Sequence, residues 1–70
     1  MMPMALVQRG EYATIKRITG DGEVRRHLAE LGFVVGERIG VVAELGGNMI
    51  VDVKGSRVAL DRVLLRRIMV

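Results

Sequence analysis

The side chains of this sequence that could do chemistry are few, and they form no catalytic pattern. The chain has one His, His27, one Ser, Ser56, and no Cys. A catalytic Ser or Cys needs a base within hydrogen-bond reach, whereas Ser56 falls in a predicted hairpin turn and His27 has no nucleophile paired with it. The glycine pair Gly46-Gly47 lacks the strand-to-helix setting and the following Lys-Ser/Thr of a phosphate-binding P-loop. The sequence therefore predicts no catalytic site, and we expect that the protein is not an enzyme.

A metal or cofactor site finds as little support in the residue types. A tight Fe(II) or Zn(II) site needs several converging His, Cys or carboxylate groups, and this chain has one His and scattered acids. We expect His27 to be a half-buried structural residue at the margin of an apolar helix face. Met1, Met2 and Met4 are expected to form a frayed terminus rather than a thioether metal site, because thioethers suit softer ions than Fe(II). We predict no metal ligands and no bound cofactor.

Length and composition limit the class of protein. Seventy residues, half of them apolar and 27% charged, are enough for one small core, so we expect a single domain over residues 1–70. The absence of Cys fits a reducing cytoplasm. The first residues lack the pattern of a signal peptide, and no stretch approaches the ~20 apolar residues of a membrane helix. Although the pI is about 10.2, the net charge is only +3 with acids and bases mixed, so we expect neither nucleic-acid binding nor membrane insertion.

Most of the chain has the spacing of short strands that are separated by glycine. The predicted strands are Glu11–Ile18, Arg38–Glu44, Met49–Val53, Arg57–Leu60 and Ile68–Val70. The first of them slips register at Arg17-Ile18, which indicates a bulge or a strand end. A cap and one turn of helix, from Asp61 to Arg66 or Arg67, are predicted before the last strand. We expect these five strands to form a small mostly-β barrel, because closure hides their edges.

One segment after the first strand, Glu23–Leu31, has helical spacing instead. Its apolar residues fall at i, i+4 and i+7, and these are Val24, Leu28 and Leu31. Asp21 is placed to cap the start of the helix, and Gly32 is placed to end it in a left-handed conformation. Two to three turns are too short to be stable alone, so we predict that this helix packs against the barrel.

In order and spacing, these signals resemble the FeoA family of small bacterial proteins associated with ferrous iron uptake, from Gly10 to Val70. The segments that carry the resemblance are an opening strand ending in glycine (Ala13–Gly20), a basic helix ending in Leu-Gly (Arg25–Gly36) and a closing hairpin (Ile50–Arg62). The chain departs from the family pattern at two places. Val35 stands where a proline is common, and Leu45-Gly46-Gly47-Asn48 replaces a Leu-Gly-Asp-Pro loop.

The resemblance implies an SH3-like β-barrel and a cytosolic accessory role. In that role the protein acts beside FeoB, a membrane ferrous iron transporter with a GTP-binding domain, and modulates it through protein contacts. Any link to transition metal ions is implied by the resemblance alone.

Candidate partner-binding residues are charged or lie in the loop that departs from the family pattern. Arg25 and Arg26 are predicted on the solvent side of the helix, where they could attract an acidic patch and where Glu30 is placed to pair with either. The full set of candidate residues is Arg25, Arg26, Glu30, Asn48 and Arg57. A second basic group, Arg62, Arg66 and Arg67, is equally available.

Other binding functions stay open at this point. A barrel with a high pI could bind nucleic acid, although Tyr12 and Phe33 are its only aromatics and Phe33 is expected to be buried. Related barrels also occur as C-terminal modules of metal-dependent repressors, so the chain could be an interaction module of that kind. Exposed strand edges could also pair between copies and give a weak homo-oligomer.

Overall fold

The computed structural model describes residues 1–70 and is mostly β, as predicted. It contains six strands, two helices and one short 3-10 turn at Met4–Leu6. The strands are β1 (Tyr12–Thr14), β2 (Arg17–Ile18), β3 (Arg38–Leu45), β4 (Asn48–Val53), β5 (Ser56–Asp61) and β6 (Ile68–Met69), and the helices are α1 (Gly22–Glu30) and α2 (Arg62–Leu65). One antiparallel sheet has the order β1-β3-β4-β5, and a second sheet pairs β2 with β6. Neither helix has the length and apolar character needed to cross a membrane.

The predicted first strand is divided between the two sheets, which gives six strands rather than five. The Ile15 N–H donates to the Glu37 carbonyl at 2.9 Å, on the β3 side, and the Lys16 N–H donates to the Met69 carbonyl at 2.8 Å, on the β6 side. The chain therefore leaves one sheet and enters the other between these two residues. The predicted break in the first strand thus exists, but it lies two residues before the predicted Arg17-Ile18, and Ile15 turns inward there and is buried.

Helix α1 (Gly22–Glu30) begins and ends one residue before the predicted Glu23–Leu31, and the predicted capping residues Asp21 and Gly32 flank it. The Asp21 carboxylate accepts a hydrogen bond from the Val24 N–H at 2.9 Å and caps the start. At the other end the Gly32 N–H donates to the Ala29 carbonyl and the Phe33 N–H donates to the Leu28 carbonyl. This is the Schellman arrangement, which places Gly32 at a φ of +104°. It also turns Phe33 into the core against Leu28.

The central strands β3, β4 and β5 follow each other through two-residue turns. Both residues of each turn, Gly46-Gly47 and Lys54-Gly55, have positive φ, which matches the twist of a hairpin. β4 alternates strictly, so that Met49, Val51 and Val53 face the core. β3 contains a bulge between Val41 and Ala43, and the residues after it lie nearer the surface. The antiparallel pairing of β4 with β5 across the Lys54-Gly55 turn confirms the predicted hairpin.

The N-terminal residues belong to the barrel, and the expectation that they fray is wrong. Met4 is 0% exposed and Val7 is also buried in the core. Met2 and Val70 exchange two backbone hydrogen bonds of 2.8 Å each, and Pro3 forms a bridge with Met69. Periodicity could not show this, because a 3-10 turn interrupts the segment after only three residues.

Candidate functional site

An open groove of about 470 Å³ lies between α1 and the turn that follows it. Five of the eight lining residues are apolar, and the other three are a glycine and two arginines. The lining residues are Ile18, Gly22, Arg25, Arg26, Ala29, Phe33, Val34 and Val35. Such an apolar floor with a charged margin is typical of a surface that binds an apolar side chain of another molecule.

The apolar wall of the groove is a short turn that is fixed at both ends. Val34 and Val35 are 37% and 64% exposed, although both are aliphatic and β-branched. The Glu37 N–H donates to the Val34 carbonyl at 3.0 Å, and the Gly36 N–H donates to the Ile15 carbonyl at 2.8 Å. Because Phe33 anchors the other end in the core, the two valines are held in position rather than carried on a free loop.

Two arginines of α1 border this groove, and neither has an ion-pair partner in the chain. The two salt bridges of the structure join Arg57 to Asp52 and Arg62 to Glu44. The predicted pairing of Glu30 with Arg25 or Arg26 is therefore absent. Glu30 lines a separate depression of α1, which Arg26 also borders and which Arg25 does not reach. Both guanidinium groups are left free to meet a carboxylate of another molecule.

The predicted candidate residues do not form one site. Arg25, Arg26 and Glu30 lie on α1, whereas Asn48 and Arg57 lie on the central sheet. Asn48 begins β4 opposite Asp61. Arg57 lies opposite Asp52, and its Nε is 3.3 Å from the Asp52 Oδ1. The sheet residues therefore belong to a different surface from the groove.

The other depression of α1 gathers the groups that come nearest to a metal site. It is lined by Glu23, His27 and Glu30 together with Val24, Arg26 and Leu64. No three His, Asp or Glu side chains are arranged to hold a metal ion, so these residues do not fit a metal centre. His27 is exposed rather than half-buried, because Leu28 takes the position on α1 that faces the core.

Three residues of the groove, Ile18, Val34 and Val35, carry no sequence pattern that marks them as site residues. A weak signal was present, since Val34-Val35 is an apolar pair between Gly32 and Gly36 that is too short to be a strand. The sequence does not show that Phe33 turns into the core while Val34 and Val35 stay at the surface, so the pair could not be recognised as part of a binding site. Ile18 was assigned to a strand, and its position beside α1 depends on the β2–β6 pairing.

Comparison with known protein families assigns this chain to one of them. The family model of the FeoA domain matches residues 2–70. The chain belongs to the FeoA family. Among curated proteins, it is 31% identical over 70 residues to a Methanocaldococcus jannaschii protein provisionally named Fe(2+) transport protein A, and the match covers all of this chain and 85% of that protein. The family identified from the strand, helix and hairpin segments is thus confirmed, and it is a family of ferrous iron transport.

Solved structures share the fold. The Stenotrophomonas maltophilia FeoA complexed with zinc, described as a procaryotic SH3 domain protein, is 28% identical with a TM-score of 0.84, and the match covers 99% of this chain and 88% of that one. The predicted SH3-like barrel is therefore confirmed. A manganese-dependent transcriptional repressor is 25% identical with the same TM-score, over 94% of this chain and 38% of the repressor.

Proposed function

We propose that this FeoA chain is a single-domain cytoplasmic accessory protein of ferrous iron uptake. In this proposal it binds the cytosolic part of a FeoB-like transporter, a membrane protein with a GTP-binding domain, and modulates its GTP turnover or transport. The observation that carries the proposal is the α1 groove, where fixed apolar residues lie beside two unpaired arginines. The protein acts by surface contact and is not an enzyme.

The chemistry of the groove defines what it would bind. Val34 and Val35 stabilise a complex only when an apolar side chain covers them, at about 25 cal/mol per Å² of apolar surface removed from water. Arg25 and Arg26 attract a negatively charged partner and speed its association. The best fit is therefore a segment of the transporter with one or two apolar anchors next to a carboxylate.

A relative supports the accessory role. The Stenotrophomonas maltophilia FeoA has been suggested as a ferrous iron transport activating factor. We extend an accessory role to this chain on the strength of family membership, and we assign the contact surface from its own groove.

The test is an NMR titration of the ¹⁵N-labelled chain with the cytosolic GTP-binding region of the transporter from the same organism. We expect shift changes that centre on Ile18, Ala29 and Val35, together with a changed GTPase rate of the transporter. An absence of shift changes at high micromolar concentration would remove the transporter as partner. Changes centred on the central sheet would keep the partner and move the contact away from α1.

A second candidate function is that of an interaction module like the matching part of a metal-dependent repressor. The likeness to the manganese-dependent repressor favours it. The intact mass of the native protein separates the two candidates. A mass near 7.7 kDa supports the accessory protein, whereas a larger chain with a further domain supports the appended module.

Nucleic-acid binding is a weaker candidate because of where the aromatic residues lie. Binding of single strands usually combines a basic groove with several stacking aromatics. Phe33 is 0% exposed, which leaves Tyr12 alone on the surface. Fluorescence anisotropy with single-stranded oligonucleotides at low salt tests this candidate, and tight binding with a steep salt dependence would reverse the ranking.

A further inference from the structure

The longest open strand edge of the barrel belongs to β5. β1 and β5 are the two edges of the four-stranded sheet, and β1 has three residues whereas β5 has six. Natural edge strands are usually protected by charged side chains, especially Lys, by Pro, by a bulge, or by a helix or loop that covers the edge. β5 contains neither Lys nor Pro, and its pairing with β4 continues without a register shift from Ser56 to Asp61.

The hairpin register decides which backbone groups of β5 point outward. The Lys54-Gly55 turn has two residues, so Val53 and Ser56 on either side of it form a hydrogen-bonded pair. Hydrogen-bonded and non-hydrogen-bonded pairs alternate along the strands. Ser56, Val58 and Leu60 therefore bond to β4. The N–H groups of Arg57, Ala59 and Asp61 and the C=O groups of Arg57 and Ala59 point away from the sheet, and none of them is among the backbone hydrogen bonds of the turns, loops and caps. The C=O of Asp61 belongs to the start of α2, because Asp61 is the N-cap of that helix.

We propose that β5 pairs antiparallel with β5 of a second copy of this chain, with Ala59 of one copy opposite Ala59 of the other. This register places Arg57 opposite Asp61 of the second copy, on both sides of the two-fold axis. It is the register that pairs all three outward-facing residues of each strand. A register shift by two residues in either direction, the smallest that keeps outward-facing residues opposite each other, leaves only two pairs on each strand and separates Arg57 from Asp61.

The side chains on the outer surface fit this pairing. Arg57 contacts Asp52 of its own chain through Nε, which leaves its two terminal nitrogens to donate to Asp61 of the second copy. Arg57, Ala59 and Asp61 are all exposed. The Oδ1 atom of Asp61 accepts the Leu64 N–H at 2.9 Å as the cap of α2, so the second carboxylate oxygen is available to an arginine. Opposite charges that face each other across an antiparallel pair are stabilising. The small side chain of Ala59 lets the two strands approach at the centre.

The continuous sheet would have eight strands, four from each copy. No residue of β5 lines the α1 groove, so this pairing stands apart from the proposed binding of the transporter. The chain alone is sufficient for the test, and a failure of either proposal leaves the other unaffected.

The first test is amide hydrogen exchange of the chain at low and high concentration. We expect the N–H groups of Arg57, Ala59 and Asp61 to become protected as concentration rises, whereas the Val58 N–H, already bonded to β4, is protected throughout. Exchange at these three amides that does not depend on concentration, up to the millimolar range, would overturn the proposal. So would protection that arises only when the transporter region is added, because the occupant would then be a partner strand.

Variants make the test specific to the edge. Ala59→Lys places two like charges opposite each other at the two-fold axis, and we expect it to weaken dimerisation about tenfold or more in sedimentation equilibrium. Thr14→Lys, on the opposite edge of the same sheet, is the matched control and should leave the dimer unchanged. Since the chain has no Cys, Ala59→Cys gives a unique thiol whose Cα lies about 5.5 Å from its symmetry mate, within disulfide reach. It should form a disulfide dimer faster than Val63→Cys, and equal rates would contradict the register.

Discussion

The ring of Tyr12 lies against Gly40, its direct neighbour across the β1–β3 pair. A Cβ placed on Gly40 would lie 2.7 Å from the Tyr12 Cδ2 and 2.8 Å from its Cζ, closer than side chains tolerate. The guanidinium carbon of Arg38 lies 5.2 Å from the centre of the same ring, within the range of a cation–π contact. The glycine therefore provides the space that lets an exposed tyrosine lie on the sheet.

Gly40→Ala should destabilise the protein by about 0.5–1 kcal/mol, because the ring must leave its cross-strand contact. In a Tyr12→Ala background the same change should stabilise it by about 0.4–1 kcal/mol, since the strand position has no need of glycine once the ring is gone. Urea denaturation of the four proteins of this double-mutant cycle measures both effects. The same sign in both backgrounds would contradict the role given to Tyr12.

Gly32→Ala should cost about 1–3 kcal/mol of unfolding free energy. The φ of +104° is unfavourable for a residue with a Cβ, and that Cβ would lie 3.3 Å from the Val53 Cγ2. Gly22→Ala is the control, because it lies in the same helix with nothing within 4 Å of its Cβ, and it should be neutral or stabilising. Thermal unfolding of both variants provides the comparison, and equal losses would argue against the assigned helix end.

Met4→Ala should reduce the unfolding free energy by about 2–5 kcal/mol, because it empties a fully buried position. Leu6→Ala lies in the same 3-10 turn and is 64% exposed, so its effect should stay within about 0.5 kcal/mol. Chemical denaturation distinguishes the two. A Met4 variant as stable as the Leu6 variant would mean that the N-terminal segment is detached from the core.

Val35→Asp should abolish binding of the transporter's cytosolic region while leaving stability nearly unchanged. Its side chain is 64% exposed, so the loss would come from the apolar contact with the partner. Leu45→Asp is matched to it, since Leu45 has the same exposure but lies at the β3–β4 turn. Calorimetric titration of both variants should show loss of affinity for the first alone. If Leu45→Asp is the damaging change, the contact lies on the central sheet.

Arg25→Glu and Arg26→Glu should slow association with the same region, and most strongly at low salt, because the two arginines act by long-range attraction. Arg66→Glu makes the same charge change outside the groove lining. Stopped-flow or surface-based kinetics at two salt concentrations give the association rates. Equal slowing in all three variants would indicate an effect of net charge rather than of the groove.

The parts of the fold that depend on near neighbours were predictable from the sequence. Asp21 and Gly32 mark the two ends of α1, and the two glycine-containing turns mark the hairpins of the central sheet. In each case a residue type satisfies a local backbone requirement, such as a cap or a positive φ. The alternation of Met49, Val51 and Val53 likewise showed which face of β4 is buried.

The parts that depend on distant contacts were not predictable. Met4 is buried because the chain ends meet, and Val35 is exposed because its turn is tied to Ile15. No periodic spacing of apolar residues in the sequence indicates either the burial of Met4 or the exposure of Val35. The same holds for the candidate residues, where Arg57 is bound to Asp52 across two strands while Arg25 remains unpaired. The family could be identified from segment order, but the groove required the tertiary structure.

The reciprocal hydrogen bonds of Met2 and Val70 place the two chain ends side by side, about one strand spacing apart. A peptide of a few residues could therefore join them, and new ends could be opened at the Gly46-Gly47 turn. Such a circular permutant would keep every core contact while changing the order in which the strands are synthesised. We therefore expect the permuted chain to fold into the same barrel.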